Sequence, residues 1–245
     1  ALAKAIATLA ERQGARVRNG AAVAEVLTTN GRTSGVRLAS GEVIPADIVI
    51  CNGDPGALAT GRLGEGASRA VPAIPPAKRS LSALVWYAHT KTQGFDLTHH
   101  NVFFSRDYAR EFREIGSGAT PSEPTVYVCA QDRSDSGAAL EQEERLLCLV
   151  NAPATGDHEV NQKEIDRCEQ AAFTLLKQCG LELQESSHST IRTSPTEFNR
   201  LFPGRGGALY GQATHGWMSS FQRSNALTQI ETLFLAGGSV HPGPG

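Results

Sequence analysis

Apolar side chains recur at helical spacing near the start of the chain. Leu2, Ile6 and Leu9 share one face of a helix predicted over residues 1–13, and the charged side chains lie off that face. Gly14 follows, as is typical of the residue after a helix. Because the chain begins inside this pattern, and because it also stops within a Gly- and Pro-rich loop, we expect it to be a piece of a longer protein.

The pattern then changes to the apolar–polar alternation of β-strands. Residues 23–27 and 35–38 predict a hairpin around Asn30-Gly31, a pair that strongly favours a tight turn. Residues 46–51 end in a continuous apolar run, which predicts a strand buried on both faces. Residues 52–56 are Gly, Pro, Asn and Asp types, and they predict a tight loop followed by a short helix.

The middle of the chain follows a Pro-rich connector at residues 71–78 and mixes strand-like with helix-like segments. Residues 107–115 and 162–179 have helical spacing. Residues 194–197, with the sequence Ser-Pro-Thr-Glu, form a capping box and predict the start of a short helix. The segments with strand character are residues 80–90, 101–105, 124–131, 145–152 and about 183–193. This section is predicted to form a mixed or antiparallel sheet with helices on one face.

A last apolar strand at residues 232–236 leads into Gly237-Gly238. We expect this strand to return to the opening section and to lie beside residues 48–51. The predicted fold class is therefore α/β with a mixed α+β middle. The two predicted domains are a discontinuous one at residues 1–66 and 232–245, and a second one at residues 67–231.

Composition narrows the classes of function. The 23 basic and 25 acidic side chains are nearly balanced, so the chain lacks the basic excess of a nucleic-acid-binding protein and we expect no nucleic-acid partner. No apolar run approaches the roughly 18 residues that a membrane-spanning helix needs. The five cysteines fit neither a zinc motif nor a C-x-x-C motif, and we expect reduced, buried thiols in a reducing compartment.

The motifs for phosphate binding and for nucleophilic catalysis are incomplete. The glycines at residues 116–118 and 204–206 fail the G-x-G-x-x-G pattern of a dinucleotide-binding turn. Residues 237–241 lack the second glycine of a nucleophile elbow, so Ser239 is not expected to be a hydrolase nucleophile.

Histidines and charged runs are expected to have structural or solvent roles. His99 and His100 are adjacent and would point apart on a regular element, and His215 and His241 have no carboxylate at ligand spacing. We therefore expect no metal site. The charged run at residues 141–145 is expected to be a solvated turn.

Four large apolar side chains are candidates for a binding pocket. Trp86 and Phe103 lie in predicted strands, and Trp217 and Met218 follow the glycine-rich loop. Each by itself is expected to be a core residue. As a group they could line a pocket for a long hydrocarbon, because such a pocket must itself be apolar.

Several stretches together resemble one superfamily, the flavin-dependent phytoene desaturases and amine oxidoreductases. They are the hairpin, Ala46-Asp47-x-Val49, Asn52-x-Asp54-Pro55 and Leu233-x-Leu235-Ala236-Gly237-Gly238-Ser239-x-His241-Pro242-Gly243-x-Gly245. Other stretches are similar to one branch, the 1-hydroxycarotenoid 3,4-desaturases of purple bacteria, also called methoxyneurosporene or hydroxyneurosporene dehydrogenases. These are residues 103–108, Tyr127-x-Cys129-x-Gln131-Asp132-Arg133, and residues 207–211 leading to His215-Gly216-Trp217-Met218.

The resemblance implies an enzyme that removes hydrogen from C3–C4 of a 1-hydroxylated acyclic carotenoid, by hydride transfer to FAD. The first domain would be a partial Rossmann-like FAD-binding domain, and the second would bind the substrate. The residues assigned to the cofactor are Val23, Asn52, Gly53, Asp54, Gly237, Gly238, Ser239, His241, Pro242 and Gly243. A lipid substrate implies peripheral association with the inner, photosynthetic membrane from the bacterial cytoplasm.

Two other hypotheses stay open. One is a flavin enzyme with a different substrate, such as an amine oxidase or a retinoid saturase, and the other is a non-catalytic binding domain. The superfamily's members begin with a strand, a G-x-G-x-x-G turn and a helix, none of which this sequence contains. We therefore expect the isolated chain to hold FAD weakly and to be inactive.

Overall fold

Six helices and twelve strands are present in the part of the chain that a computed structural model describes, which is residues 2–134, 142–158, 161–184, 191–213, 221 and 223–243. The helices are α1 (Leu2–Arg12), α2 (Pro55–Ala59), α3 (Glu65–Ser68), α4 (Tyr108–Gly116), α5 (Gln162–Gln178) and α6 (Pro195–Leu201). The strands are β1 (Val23–Thr29), β2 (Arg32–Leu38), β3 (Val43–Pro45), β4 (Val49–Cys51), β5 (Ser82–Thr90), β6 (Thr92–Gln93), β7 (His100–Phe103), β8 (Val126–Ala130), β9 (Glu144–Ala152), β10 (Glu182–Leu183), β11 (Ile191–Thr193) and β12 (Leu233–Leu235).

Strands β1, β2 and β3 form a three-stranded antiparallel sheet. At the turn between β1 and β2, Asn30 and Gly31 have φ values of 52° and 81°. Two successive positive φ angles match the twist of a hairpin, and Asn-Gly is the pair that tolerates them best. The predicted first helix and the predicted hairpin are both confirmed.

Strand β12 lies parallel to β4, with Leu233 opposite Val49 and Leu235 opposite Cys51. The predicted return of the last strand to the opening section is therefore confirmed. The expectation that β4 is buried on both faces is wrong, because Ile48 and Ile50 are 57% and 65% exposed. Val49 and Cys51 face a small core instead, and the described elements cover only that side of the strand pair.

The second section contains a five-stranded antiparallel sheet in the order β11-β5-β9-β8-β7. One face of this sheet packs on α5, as predicted, through the buried side chains Ile165, Cys168, Ala172 and Leu176. Trp86 stands edge-on to Phe173 of that helix, with ring centroids 5.7 Å apart. The helix is amphipathic, and its core face follows the spacing predicted from the sequence. None of the described helices has both the length and the apolar character needed to cross a membrane.

A buried ion pair links the loop after β8 to the first residue of β9. Arg133 donates from Nε and Nη2 to the two carboxylate oxygens of Glu144, at 2.8 and 2.7 Å, and both side chains are almost inaccessible to solvent. Thr92 donates to the same carboxylate, and the carbonyl of Leu97 accepts from Arg133 Nη1. The expectation of a solvated turn at residues 141–145 is therefore wrong for Glu144, whose burial depends on a partner distant in sequence.

The cysteines differ more in exposure than the sequence predicts. Cys148 and Cys168 are buried, and burial raises the pKa of each thiol to about 12. Cys51 and Cys129 are half-buried, and Cys179 is exposed at the end of α5. The expectation that all five cysteines are buried is therefore wrong, and their reduced state stays a prediction.

Candidate functional site

The loops that follow β4 and β12 meet at the carboxyl ends of these parallel strands. The amide of Ala236 donates to the carbonyl of Cys51 at 3.0 Å, which extends the strand ladder by one step. Asn52 then donates from Nδ2 to the carbonyl of Ala236 at 3.2 Å. We call the region formed by residues 52–54 and 237–239 the strand-end junction. Carboxyl ends of neighbouring parallel strands are where open α/β sheets bind ligands.

Gly237 permits the close approach of the two loops. Its φ of 118° lies in a region that L side chains rarely adopt, and an added Cβ would lie 3.0 Å from Asn52 Nδ2. The backbone of the loop after β12 can therefore pass directly against the Asn52 amide. The sequence prediction that these two loops come together agrees with this contact.

Asp54 connects three parts of the strand-end junction. Its Oδ1 accepts from the amide of Gly56 at 2.7 Å and so caps helix α2, and its Oδ2 accepts from the Ser239 hydroxyl at 3.0 Å. Arg205 Nε lies 3.3 Å from Oδ1, and the side chains of both residues are largely buried. Asp54 and Arg205 therefore form an ion pair, but Arg205 Nε does not have hydrogen-bond geometry. A single carboxylate therefore holds a helix start, the loop after β12 and a buried cation.

Arg205 is a functional candidate that sequence reasoning missed. It is 5% exposed, and its Nη1 has no hydrogen-bond partner among the described residues. Burial lowers the pKa of its guanidinium, Asp54 opposes this change, and the positive charges of Arg223 and Arg79 add to it. The available signal was a charged residue inside the glycine run at residues 204–207, because glycines allow other chain segments to approach closely around a buried side chain.

Arg223 joins the segment after Arg205 to the strand-end junction. It donates from Nη1 to the carbonyls of Tyr210 and Gly238, at 2.8 and 3.3 Å, and from Nη2 to the carbonyl of Gln212 at 3.1 Å. Among the described residues, two buried cations, Arg205 and Arg223, contact the junction, and its one carboxylate is Asp54. The nearby Arg79 is paired with Asp157. The local charge of the junction is therefore positive, which suits an anionic ligand.

The chain after the junction is held by backbone contacts. The amide of His241 donates to the carbonyl of Ser224 at 2.9 Å, and the His241 ring stacks on Phe221 with centroids 5.8 Å apart. Gly243 packs against the Arg223 side chain, where an added Cβ would lie 3.1 Å from Nε. Residues 241–243, including Pro242, thus follow the junction residues Gly237, Gly238 and Ser239 as part of one connected region.

Val23 lies apart from these contacts. It begins β1, pairs with Leu38 across the hairpin sheet and is 40% exposed. Gly53 follows Asn52 in the loop after β4, beside the thiol of Cys51. The contacts therefore bring together the residues predicted at 52–54 and 237–243, whereas the role of Val23 stays a prediction.

Two of the predicted substrate residues are part of the hydrophobic core. Trp86 is fully buried and Phe103 is 4% exposed, and both belong to the core between the sheet and α5. Phe103 also contacts Phe95, with ring centroids 5.0 Å apart. These contacts give both side chains a packing role, so contact with a substrate stays a prediction for them. Trp217 and Met218 lie outside the described residues.

The opposite face of the five-stranded sheet carries a set of apolar side chains that are half-buried or exposed, except Val85, which is 3% exposed. They alternate with the core residues along each strand, as the pleat of a sheet requires. Cross-strand register places them in two rows, which are Val102, Tyr127, Leu149, Val85 in one and Cys129, Leu147, Tyr87, Ile191 in the other. We call this surface the open sheet face. Trp86 and Phe103, which the sequence suggested for a pocket, lie on the other face, because periodicity alone does not say which face a helix covers.

The architecture is that of an α/β protein with a candidate ligand site at the carboxyl ends of parallel strands, next to a second section built on an antiparallel sheet. A family model described as flavin containing amine oxidoreductase matches residues 1–243, and the chain belongs to this family. The members of a flavin-containing family use a flavin cofactor, so the family assignment implies one here.

Curated relatives with carotenoid-related names match the whole chain. It is 52% identical to a hydroxyneurosporene desaturase of Rubrivivax gelatinosus and 42% identical to one of Cereibacter sphaeroides. It is 32% identical to a zeta-carotene-forming phytoene desaturase of Myxococcus xanthus. In each case all of the chain is covered but only 47–49% of the relative, so the chain spans about half the length of these relatives.

A solved structure supports the same fold. An oxidoreductase from Methanosarcina mazei matches with a TM-score of 0.56 and 14% identity, over 98% of this chain and 49% of that one. At this identity the match concerns the fold alone. Together with the family assignment, it confirms the predicted α/β fold class.

Proposed function

We propose that the whole protein is an FAD-dependent desaturase of a 1-hydroxylated acyclic carotenoid, acting at C3–C4. The observation that carries this proposal is the similarity of the entire chain to hydroxyneurosporene desaturases, at 52% and 42% identity. The family's flavin supplies the chemistry, which is to accept a hydride from the substrate. The residues of this chain bind and orient the cofactor and the substrate and exclude water from the site. The reaction requires no strong acid or base from them.

The strand-end junction fits the anionic part of FAD. Gly237 leaves its backbone open to close approach, and Arg205 offers a buried guanidinium whose Nη1 has no partner among the described residues. A buried guanidinium nitrogen without a partner costs free energy unless a hydrogen-bond acceptor lies against it. The pyrophosphate of FAD has this chemistry, so we assign Arg205 and the amides of residues 237–239 to the diphosphate side of the cofactor.

The open sheet face fits an extended hydrocarbon. Each apolar row crosses four strands, and the two rows together span all five strands. At about 4.8 Å between neighbouring strands, the face is about 19 Å wide. The segment of residues 209–213 runs beside the start of β5, where the amide of Leu209 donates to the carbonyl of Leu81 at 3.0 Å. Arg223 ties this same segment to Gly238 of the strand-end junction. The open sheet face and the strand-end junction are thus connected through residues 209–213. Such a connection suits a substrate that must lie close to a cofactor.

Peripheral membrane association on the cytoplasmic side of the inner membrane is part of the proposal. Phe104, Tyr108 and Phe112 form an exposed aromatic row at the start of α4, with ring centroids 5.7 and 5.0 Å apart. Exposed apolar clusters of this kind mark interaction surfaces. A water-insoluble carotenoid must be taken from a lipid phase, and this row offers a site of contact with it.

We expect the 245-residue chain by itself to hold FAD weakly and to be inactive. Its sequence contains no G-x-G-x-x-G turn, and such a turn supplies several amides to the pyrophosphate. Each missing charge-assisted hydrogen bond costs about 1.5–3 kcal/mol, so two of them weaken binding at least about a hundredfold. A stoichiometric flavin spectrum after gel filtration of this chain would contradict the expectation.

The decisive experiment uses the full-length protein, FAD and a 1-hydroxylated acyclic carotenoid in vesicles. Desaturation lengthens the conjugated polyene, so the carotenoid absorbance should shift to longer wavelength, and mass spectrometry should report the loss of two hydrogens. The same carotenoid without the hydroxyl, a retinoid and primary amines serve as comparison substrates. Turnover of an amine or a retinoid instead of the carotenoid would refute the proposed substrate, and an absence of flavin reduction with every substrate would refute an enzymatic role.

A further inference from the structure

His99, His100 and Cys129 bring their side chains to one point at the edge of the five-stranded sheet. His100 is directly opposite Cys129 in the β7–β8 ladder, and His99 immediately precedes β7. The two imidazole rings are edge-on with centroids 4.4 Å apart. The expectation that they point apart is therefore wrong, because His99 lies outside the strand and does not follow its alternation.

The three side chains offer ligand atoms at the spacing of a metal site. One ring nitrogen from each histidine and the Cys129 sulfur all lie within 4.8 Å of one another. His99 Nε2 is 3.7 Å from Cys129 Sγ. Nitrogen and sulfur ligands of one tetrahedral Zn²⁺ lie about 3.6 Å apart, given metal–ligand distances of about 2.0–2.1 and 2.3 Å. This pair therefore needs almost no movement to bind a common ion.

Outer contacts orient both imidazole rings. His99 Nδ1 lies 2.9 Å from the carbonyl of Arg133, so a proton on Nδ1 leaves Nε2 as the ligand nitrogen. The Arg133 carbonyl is held in place, because the guanidinium of the same residue forms a buried ion pair with Glu144. His100 Nδ1 lies 2.7 Å from the Tyr127 hydroxyl. Metal-binding histidines commonly have such a partner on the second nitrogen, which fixes the tautomer and the ring orientation.

We propose that His99, His100 and Cys129 form a three-ligand binding site for Zn²⁺, with a fourth position open to water or another oxygen ligand. Two imidazoles and a thiolate suit a borderline-soft cation and not Mg²⁺ or Ca²⁺, which prefer oxygen ligands. His100 is exposed and the other two are half-buried, so an ion can enter from solvent. The site is independent of the proposed carotenoid chemistry, since it rests on these contacts alone.

The test is metal binding by the 245-residue chain after removal of metals, in a buffer with a non-thiol reductant. Titration with Zn²⁺ against a chromophoric chelator should give one equivalent bound, with a Kd of about 1 μM or lower. Titration with Co²⁺ as a spectroscopic probe should give a thiolate-to-cobalt charge-transfer band together with the visible bands of a tetrahedral ion. Cys129→Ser should remove the charge-transfer band, and His100→Gln should weaken Zn²⁺ binding at least tenfold.

Matched variants separate this site from nonspecific binding. Cys179→Ser and His158→Gln change exposed residues away from the cluster and should leave both titrations unchanged. Because Cys129 is half-buried, circular dichroism checks that its variant is folded, and the exposed His100→Gln tests the site if it is not. Failure of the parent chain to bind one equivalent, or binding that survives both Cys129→Ser and His100→Gln, would overturn the proposal.

Discussion

The Ser239 hydroxyl donates to Asp54 Oδ2 at 3.0 Å, and this hydrogen bond joins two loops that are 185 residues apart in the sequence. The same carboxylate caps helix α2 and pairs with the buried Arg205. Removing the Ser239 hydroxyl and removing the Asp54 charge should therefore have unequal effects on the free energy of unfolding. Loss of the hydroxyl removes one hydrogen bond, whereas loss of the negative charge leaves a buried cation without its counter-charge.

Asp54→Asn should lower the free energy of unfolding by about 3–5 kcal/mol, the usual cost of breaking one side of a buried ion pair. Ser239→Ala should lower it by about 1 kcal/mol, the net value of an ordinary hydrogen bond. Urea denaturation of the 245-residue chain measures both. Asp47→Asn, at an exposed position before β4, is the control and should stay within about 0.5 kcal/mol. Equal losses at Asp54 and Ser239 would contradict the ion-pair argument.

Arg205→Gln should weaken FAD binding by the full-length protein. The variant removes the guanidinium that we assign to the diphosphate, and a charge-assisted hydrogen bond contributes about 1.5–3 kcal/mol, or about tenfold to a hundredfold in Kd. Fluorescence titration of the apoprotein with FAD measures the change. Arg62→Gln replaces an exposed arginine of the same section and should leave the Kd unchanged. Unaltered FAD affinity in Arg205→Gln would remove Arg205 from the cofactor site.

Gly237→Ala should destabilise the chain more than Gly118→Ala does. Both glycines have positive φ, so both variants incur backbone strain of about 1–2 kcal/mol. An added Cβ at Gly118 would meet nothing within 4 Å, whereas at Gly237 it would lie 3.0 Å from Asn52 Nδ2. Displacement of Asn52 breaks its bond to Ala236 and adds about 1 kcal/mol. Equal losses of stability would mean that the two loops are not in close contact.

Local signals in the sequence predicted most elements, and contacts between distant residues account for what was missed. The hairpin turn at Asn30-Gly31 and the α5 periodicity depend only on nearby residues, so both were predictable. The burial of Glu144 depends on Arg133, which reaches it through sheet pairing. The position of Arg205 against Asp54 likewise depends on two loops meeting in space. The periodicity of a single sequence carries no information about contacts between distant residues, so it predicts neither pairing.

Glu144→Gln should lower the free energy of unfolding at pH 7, and the loss should shrink in acid. Burial raises the pKa of Glu144, but hydrogen bonds from Arg133 and Thr92 outweigh it and hold the pKa below its ordinary value of 4.5. A depressed pKa in the folded state means that the ionised carboxylate stabilises the fold above about pH 4.5. This contribution is lost as the pH falls through the folded-state pKa.

The difference in unfolding free energy between the parent chain and Glu144→Gln should therefore be about 3–5 kcal/mol at neutral pH and decline steadily below pH 4.5. Urea denaturation at a series of pH values measures it. Glu143→Gln, at the neighbouring, more exposed carboxylate, should change stability by less than about 0.5 kcal/mol at every pH. A Glu144→Gln difference that does not depend on pH would refute the charged pair as its origin.

The aromatic row on α4 should bind lipid through apolar burial and not through charge. Phe104, Tyr108 and Phe112 are 63%, 46% and 39% exposed. Two neighbouring basic residues are already paired, Arg110 with Glu114 and Glu123 and Arg113 with Asp107, and Arg106 is the remaining basic residue of this segment. Few positive charges are therefore left to attract an anionic membrane, while burying a Phe side chain gains about 1.5–3 kcal/mol.

Flotation of the 245-residue chain with phosphatidylcholine vesicles tests this surface. The parent chain should bind neutral vesicles, addition of anionic lipid should change the binding little, and salt should not release it. The double variant Phe104→Ser with Phe112→Ser should bind at least about tenfold more weakly, because each replacement removes an apolar anchor. Phe202→Ser, at a 69% exposed aromatic residue after α6, should bind like the parent chain. Binding that appears only with anionic lipid and disappears in salt would instead locate the membrane contact on a charged surface and refute the role of the aromatic row.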